Sequence, residues 1–199
     1  MQNNTIYIIG CGGHARSVAD VVLDNNPSQN LIFIDENTKK NEKIFGFPII
    51  KKLPQNAKNI FIAIGNNNKR KILSQNKKLI NIISKRSYIS PTAKLSDGIF
   101  IGDGVHIGPM VEIGRGTIIN TNAIIEHENI IKEFSHISVN STVCGRVKIG
   151  DNVFLGAGAT VKDGIIICDN TTIGAGGVVV KDITETGIYT GIPVKRKVK

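Results

Sequence analysis

The sequence predicts a small α/β unit followed by an all-β solenoid, and three observations carry that prediction. From Ile89 to Val179 every sixth residue is Ile, Leu or Val, through Leu95, Ile101, Ile107, Ile113, Ile119, Ile125, Ile131, Ile137, Val143, Ile149, Leu155, Val161, Ile167 and Ile173. Glycine often follows the aliphatic residue (Gly102, Gly108, Gly114, Gly150, Gly156, Gly174), and a small or β-branched residue often stands two before the next one. Residues 1–85 lack this period and alternate short apolar runs with helical spacing. A fixed short period is the mark of a stacked repeat. Six matches neither the 3.6 of a helix nor the alternation of a long strand. It suits short strands joined by sharp corners, each turning one aliphatic side chain inward.

In chain order, Ile6-Tyr7-Ile8-Ile9 reads as a buried strand ending in Gly10-Cys11-Gly12-Gly13-His14. Ala15–Asn25 has helical spacing, with Val18, Val21 and Val22 on one face. Leu31–Ile34 is a second strand closed by Asp35-Glu36, residues 37–48 read as loop, and Ile60–Ile64 is a third strand. Gly65-Asn66-Asn67-Asn68 and a basic helix over Lys69–Gln75 follow, with Ile80–Ile83 as a fourth strand. Alternating strands and helices imply a parallel sheet with covered faces. The division falls near Arg86–Ser90, giving domains of residues 1–85 and 86–199. Three sides per turn make roughly 18 residues per coil and about five coils, a prism about 25 Å long at β spacing.

The chain has 199 residues, a formal net charge of +9 and a pI of about 9.5. Such a balance suits nucleic acid, an anionic membrane surface or a small polyanionic ligand. Aromatics are only 5%, with no Trp, which supplies base-stacking poorly and argues against nucleic acid. No apolar run is long enough for a transmembrane helix, so membrane insertion is not expected. Met1–Asn4 lacks the basic and apolar parts of a signal peptide, and a cytoplasmic location is expected. The three cysteines, Cys11, Cys144 and Cys168, are widely spaced, predict reduced thiols, and show no metal-ligand spacing.

Between residues 119 and 145 the glycines after the aliphatics give way to Asn120, Glu126, Lys132, Ser138 and Cys144, while the period holds. His127 lies there, flanked by Glu126 and Glu128, and His136 lies nine residues on, half a coil away. A carboxylate bonded to one imidazole nitrogen fixes the tautomer and raises the basicity of the other, as a general base requires. The bland alternative is a surface histidine among acids. His136 reads either as a binding or acid residue or as interface packing; His106, among glycines, reads as structural. Half a coil puts His127 and His136 on different sides of one prism, so a site using both needs neighbouring prisms. A cyclic oligomer, with a trimer as the natural closure, is expected.

On these residues the whole chain resembles the left-handed β-helix (hexapeptide-repeat) sugar acetyltransferases with an N-terminal nucleotide-sugar-binding domain. That group includes the UDP-amino-sugar N-acetyltransferases and the sialic acid O-acetyltransferase type. Ile8–His14, Ala63-Ile64-Gly65-Asn66-Asn67, Ile125-Glu126-His127-Glu128, Phe134-Ser135-His136-Ile137-Ser138 and Gly191-Ile192-Pro193 carry the resemblance. It implies the left hand of the helix, a Rossmann-like first domain, a homotrimer, acetyl-CoA as donor and no metal. It also implies His127 as the base, Glu128 as the carboxylate tuning it, and His136, Ala157 and Ala175 along acetyl-CoA. A CoA 3′-phosphate could use the basic tail after Gly191-Ile192-Pro193. Gly10–Ala15 also fits G-x-G-x-x-A, with Asp35 about 20 residues on, as in dinucleotide sites. Such a turn holds any phosphate, or is simply a tight strand-to-helix connection. The resemblance assigns it to a nucleotide-sugar, with Gly12, Gly13, His14, Asp35, Glu36, Gly65, Asn66 and Arg70 as contacts. The expected reaction is acetylation of the 4-amino group of a UDP-linked amino-dideoxy sugar for bacterial glycan or glycoprotein synthesis. O-acetylation of a sialic or related nonulosonic acid is the alternative.

Overall fold

The computed structural model describes residues 4–197, so Val198 and Lys199 of the basic tail lie outside the described residues. The first apolar run forms β1 (Thr5–Ile9), followed by α1 (Gly13–Asn25), β2 (Asn30–Ile34), β3 (Lys43–Ile44), β4 (Phe47–Ile50), β5 (Asn59–Ile62) and α2 (Asn67–Leu73). The sheet order is β3-β4-β2-β1-β5, with β1 parallel to both β2 and β5. α1 buries Ala15, Val18, Ala19, Val21 and Val22, the stripe its spacing predicts. Among the described residues no helix is long and apolar enough to cross a membrane.

Two readings of this region are corrected. Residues 37–48 are not all loop: Lys43 and Ile44 pair antiparallel with Pro48 and Phe47, and β4 runs parallel to β2. The Phe-Pro-Ile-Ile run is short and contains proline, and it becomes a strand by pairing rather than by its own pattern. Ile80–Ile83 is not a fourth strand of the first sheet. Only Leu79 bridges to Ile60, whereas Ile82–Ile83 pairs with Phe100–Ile101 and opens the solenoid. Ile83 stands six residues before Ile89 and already obeys the repeat.

Beyond Ile82 the chain winds into three parallel sheets, and each strand pairs with the one eighteen residues on, as His106 does with Ile124. The first face runs from Ile82–Ile83 through Phe100, Ile118, His136 and Phe154 to Thr172 and beyond; the second runs from Tyr88 to Val179, the third from Lys94 to Ile167. All the sixth-residue aliphatics from Ile101 to Val179 are 0–2% exposed. Ile89 and Leu95 are only partly buried, because the first coil has no complete neighbour beneath it. The small positions before each strand, such as Thr117, Ala123, Ser135, Ser141 and Val153, are also buried. The hydroxyls of Ser135 and Ser141 donate to the carbonyls of Gly150 and Gly156 (2.8 and 3.0 Å), so these polar groups are satisfied inside the prism.

The corners obey the same count. Left-handed φ recurs at every sixth residue from Gly98 to Gly176, and the residues there include Met110, Asn122, Glu128, Phe134, Asn140 and Arg146 as well as glycines. The glycines that follow the aliphatics are different positions with a different cause. A Cβ on Gly114 would stand 2.7 Å from Glu133 N, and one on Gly156 2.5 Å from Ala175 N, because the next coil's backbone passes directly over them.

The two parts share a core at the first face. Phe100 and Ile118 pack in one buried cluster with Ile8, Val18, Phe33 and Phe61. At the far end of α1, Asn25 Nδ2 donates to the Ile83 carbonyl (2.6 Å), and Asp24 meets Lys85 and Arg86. At the other end of α1, His14 packs against Phe100 and lies near His136, so the carboxyl end of β1 sits beside the histidine-bearing coils.

Candidate active site

His127 occupies the corner between the second and third faces. Its Nδ1 lies 3.0 Å from Glu128 Oε2. Glu128 is one of the non-glycine corner residues, with φ of 59°, a conformation that costs an L residue on the order of 1 kcal/mol. The Glu128 N–H is held by the Pro109 carbonyl at 2.9 Å. The other edge of the ring lies over Gly145, one coil up: a Cβ there would stand 2.6 Å from His127 Nε2 and 2.9 Å from Asp163 Oδ2. Gly145 therefore leaves room for the imidazole, a requirement the hexapeptide period alone does not mark. Below the corner, buried Asn129 donates to the Glu126 carbonyl (2.6 Å) and accepts from Val147 N (2.7 Å), stapling adjacent coils.

His136 is on the first face, among different neighbours. It is 8% exposed, sits edge-on to Phe154, and its ring centroid is 6.4 Å from that of His14. Asn120 Nδ2 approaches its Nε2 at 3.3 Å. An amide nitrogen can only donate, so the neutral ring carries its proton on Nδ1. That Nδ1, like His14 Nε2, is buried without a hydrogen-bond partner among the described residues. His14 sits in the first turn of α1, edge-on to Phe100. Burial, with His136 and Arg70 nearby, pushes His14 down to about 3; burial and the Arg70 charge push His136 down to about 4.

Both imidazoles thus stay neutral in the fold, while in the unfolded chain they take up protons below about pH 6.5. Their contribution to stability is complete above that pH and is lost as pH falls toward 4. The expected slope is at most about 1.4 kcal/mol per pH unit for each ring. Thermal melts at about pH 7 and about pH 5 check it, and His136→Asn is expected to flatten the dependence. Equal melting temperatures at the two values in the wild type would contradict it.

The remaining expected contacts divide. Asp35 and Glu36 line a cavity of about 430 Å³ at the carboxyl ends of β1 and β2, with Gly10, Lys51, Lys52, Lys69 and Lys77. The lysines on this wall come from three separate segments, brought together only by the fold. Gly12 and Gly13 form an open ledge at the start of α1, where an added Cβ would meet nothing within 4 Å. Asn66 caps α2, its side chain accepting from Lys69 N at 2.9 Å. Arg70, expected to reach a substrate, is instead turned inward. It is 1% exposed and spends its N–H groups on protein oxygens, the Ile64 and Gly65 carbonyls among them. Ala157 and Ala175 are exposed on the corner between the first and second faces, stacked with Gly176 N donating to the Ala157 carbonyl at 2.8 Å. That is a different corner from the one bearing His127, so one chain does not bring these groups together.

Comparison with known proteins agrees with this anatomy. The family model for the PglD N-terminal domain matches residues 5–77, and that for the hexapeptide repeat of succinyl-transferase matches residues 146–181. A mutant of perosamine N-acetyltransferase from Caulobacter crescentus, in complex with CoA and GDP-perosamine, is 30% identical. It superposes with a TM-score of 0.92 over 98% of this chain and 97% of its own. The acetyltransferase domain of PglB from Neisseria gonorrhoeae FA1090, also solved with acetyl coenzyme A, is 27% identical with a TM-score of 0.92, over 98% of this chain and 100% of its own. The uncharacterized protein L142 of Acanthamoeba polyphaga mimivirus is 37% identical over 103 residues, 48% of this chain. The chain spans about a fifth (21%) of the length of that curated relative. A full-length match at this identity, with both domain types in the same order, means that the chain belongs to the left-handed β-helix sugar N-acetyltransferases that carry a PglD-type N-terminal domain.

Proposed function

We propose that this protein transfers the acetyl group of acetyl-CoA to the amino group of a nucleotide-linked amino sugar, with His127 as general base. The acceptor we infer is the 4-amino group of a UDP-linked amino-dideoxy sugar destined for a bacterial surface glycan or glycoprotein. The observation that carries this reading is the His127–Glu128 pair: the carboxylate holds Nδ1 at 3.0 Å and leaves Nε2, on the ring edge that lies against Gly145, with no hydrogen-bond partner among the described residues. In the reaction the amine nitrogen attacks the thioester carbonyl carbon while Nε2 takes the amine proton. Glu128 stabilises the resulting imidazolium. A backbone N–H aimed at the carbonyl oxygen stabilises the tetrahedral oxyanion. Gly145 N suits that role, since it lies beneath the ring and donates no hydrogen bond among the described residues. The C–S bond then breaks, and the CoA thiolate leaves with the proton returned from His127.

The lysine-walled cavity at Asp35 and Glu36 supports a nucleotide diphosphate as the acceptor's handle, and His14, which follows Gly12 and Gly13 and packs against Phe100 near His136, leads toward the solenoid. His136, Ala157 and Ala175 lie along the acetyl-CoA arm. Ala157 and Ala175 stand on a different corner from His127, so a site that uses both would be completed by a neighbouring copy, which supports a homotrimer with sites at its interfaces. Acetyl-CoA and a nucleotide-sugar as substrates fit a cytoplasmic reaction. The relatives solved with CoA and GDP-perosamine favour a nucleotide-sugar amine over a sialic acid hydroxyl.

The test is thiol release from acetyl-CoA with a panel of UDP- and GDP-linked 4-amino sugars and free sialic acids. Release confined to nucleotide-linked 4-amino sugars is the expected result. Release confined to sialic acids moves the protein to O-acetylation, and failure to bind acetyl-CoA overturns the reading.

A further inference from the structure

Arg70 is the largest fully buried side chain of the protein, and its bonding is unusual for a buried cation. Its Nε donates to the Gly116 carbonyl (2.6 Å). Nη1 donates to Ile64 and Gly65 (2.8 and 3.2 Å), and Nη2 to Asn67 Oδ1, Phe134 O and Ser135 O (2.9, 2.8 and 3.3 Å). Every partner is a carbonyl or amide oxygen, so among the described residues the guanidinium is hydrogen-bonded but not paired with a carboxylate. Burial of this kind is costly for a charge and persists only where the full set of donors is used.

The partners fall into two groups that are distant in sequence. Ile64 and Gly65 belong to the loop between β5 and α2 and Asn67 opens α2, all in the first domain. Gly116 and Phe134 are equivalent corner residues of successive coils, both in the left-handed conformation. Phe134 and Ser135 lead directly into His136. Asn67 extends the grip one coil further, donating to the Val153 carbonyl at 3.1 Å. The loop of the nucleotide domain is thus fastened to three consecutive coils beside His136, and the planar five-donor fork of arginine is the group that spans them.

We infer that Arg70 is a positioning residue, which holds the Gly65 loop and the Phe134–His136 corner in one fixed relation so that the nucleotide-sugar bound to one domain meets the acetyl donor held by the other. This rests on the function proposed above. Arg70 spends all its donors on protein oxygens among the described residues and keeps none for a substrate. Its fixed positive charge also helps keep His14 and His136 neutral, as donors or acceptors rather than cations.

Arg70→Lys keeps the charge and loses the fork. In thiol-release assays with a UDP-4-amino sugar, the variant is expected to lose about a hundredfold in kcat/KM for the sugar, a loss typical of displaced catalytic geometry. KM for acetyl-CoA is expected to stay within about twofold, because Ala157 and Ala175, on the corner proposed for the CoA arm, are not among the groups Arg70 holds. Ethylguanidine added to Arg70→Ala should restore part of the lost rate by occupying the emptied site. Asn67→Ala, a milder cut in the same clamp, is expected to give a smaller loss of the same kind, and it serves if the Arg70 variants do not fold. A second readout needs no substrate: the imidazole resonances of His136 and His14 in nuclear magnetic resonance spectra should shift in folded Arg70→Lys and in Asn67→Ala. Unmoved histidine resonances in both variants, or equal losses toward both substrates, would overturn the inference. Absence of turnover in the wild type would instead refute the proposed reaction, leaving the resonance test of Arg70 standing.

Discussion

Alanine at position 127 is expected to reduce kcat for thiol release by about 10³-fold, within the 10²–10⁴ range of a positioned general base. Binding of acetyl-CoA should persist, because the imidazole acts on the proton of the acceptor rather than on the donor. The fold should persist too: the His127 side chain is 39% exposed at a corner and closes no part of the apolar prism. Removal of only the carboxylate charge, in Glu128→Gln, should cost less, on the order of tenfold to a hundredfold, as for a group that orients another. The order of these effects is informative. If His127→Ala retained more than about a tenth of the rate, general-base catalysis by His127 would be wrong. If Glu128→Gln were the more damaging of the two, the carboxylate itself would be the proton acceptor.

Aspartate at position 137 is expected to unfold the middle of the solenoid. Ile137 is 0% exposed, stacked between Ile119 and Leu155 of the adjoining coils. The substitution removes a buried branched side chain and leaves a carboxylate with no cation inside the prism, a loss of at least about 4–5 kcal/mol. That rivals the whole stability of a typical domain, about 5–15 kcal/mol. Because each coil is supported only by its neighbours, a break at a central coil disconnects the two ends rather than softening the protein evenly. Circular dichroism melts check this against Ile137→Val, which keeps the shape and should cost only about 1 kcal/mol. A melting temperature for Ile137→Asp within a few degrees of the wild type would mean that the column is not the load it is taken to be, since about 1 kcal/mol shifts a chain of this size by roughly 2–4 °C.

The legible parts of this protein were those in which one residue type has one cause. The aliphatic column could be counted because each coil needs one apolar side chain per side, and so the solenoid, its period and its buried residues follow from spacing. The α1 stripe was readable for the same reason. Glycine was less transparent. The visible glycines after the aliphatics reflect close passage of the next coil, while the left-handed corners fall at a second set of positions tolerated by Asn, Glu, Phe and Arg. The β3–β4 hairpin was illegible because pairing with β2, not composition, makes it a strand. The same holds for Ile82–Ile83, whose apolar character suits either domain until a partner is chosen.

At the site, the pairing of His127 with Glu128 could be anticipated because the two are adjacent in sequence and the corner turns one onto the other. Arg70 could not. From sequence it is one basic residue of a lysine-rich helix, and a cation beside Gly65-Asn66-Asn67 suggests an anionic ligand. Only the docking of that loop against Gly116 and Phe134, far along the chain, converts it into an interdomain clamp. The sequence by itself determined the period, the two-part architecture and the local His127–Glu128 pair, since these depend on neighbours within one coil or one turn. The tertiary structure decided which polar groups line a cavity and which face carbonyls, because burial and hydrogen-bond satisfaction are properties of surfaces that meet only after the chain has folded.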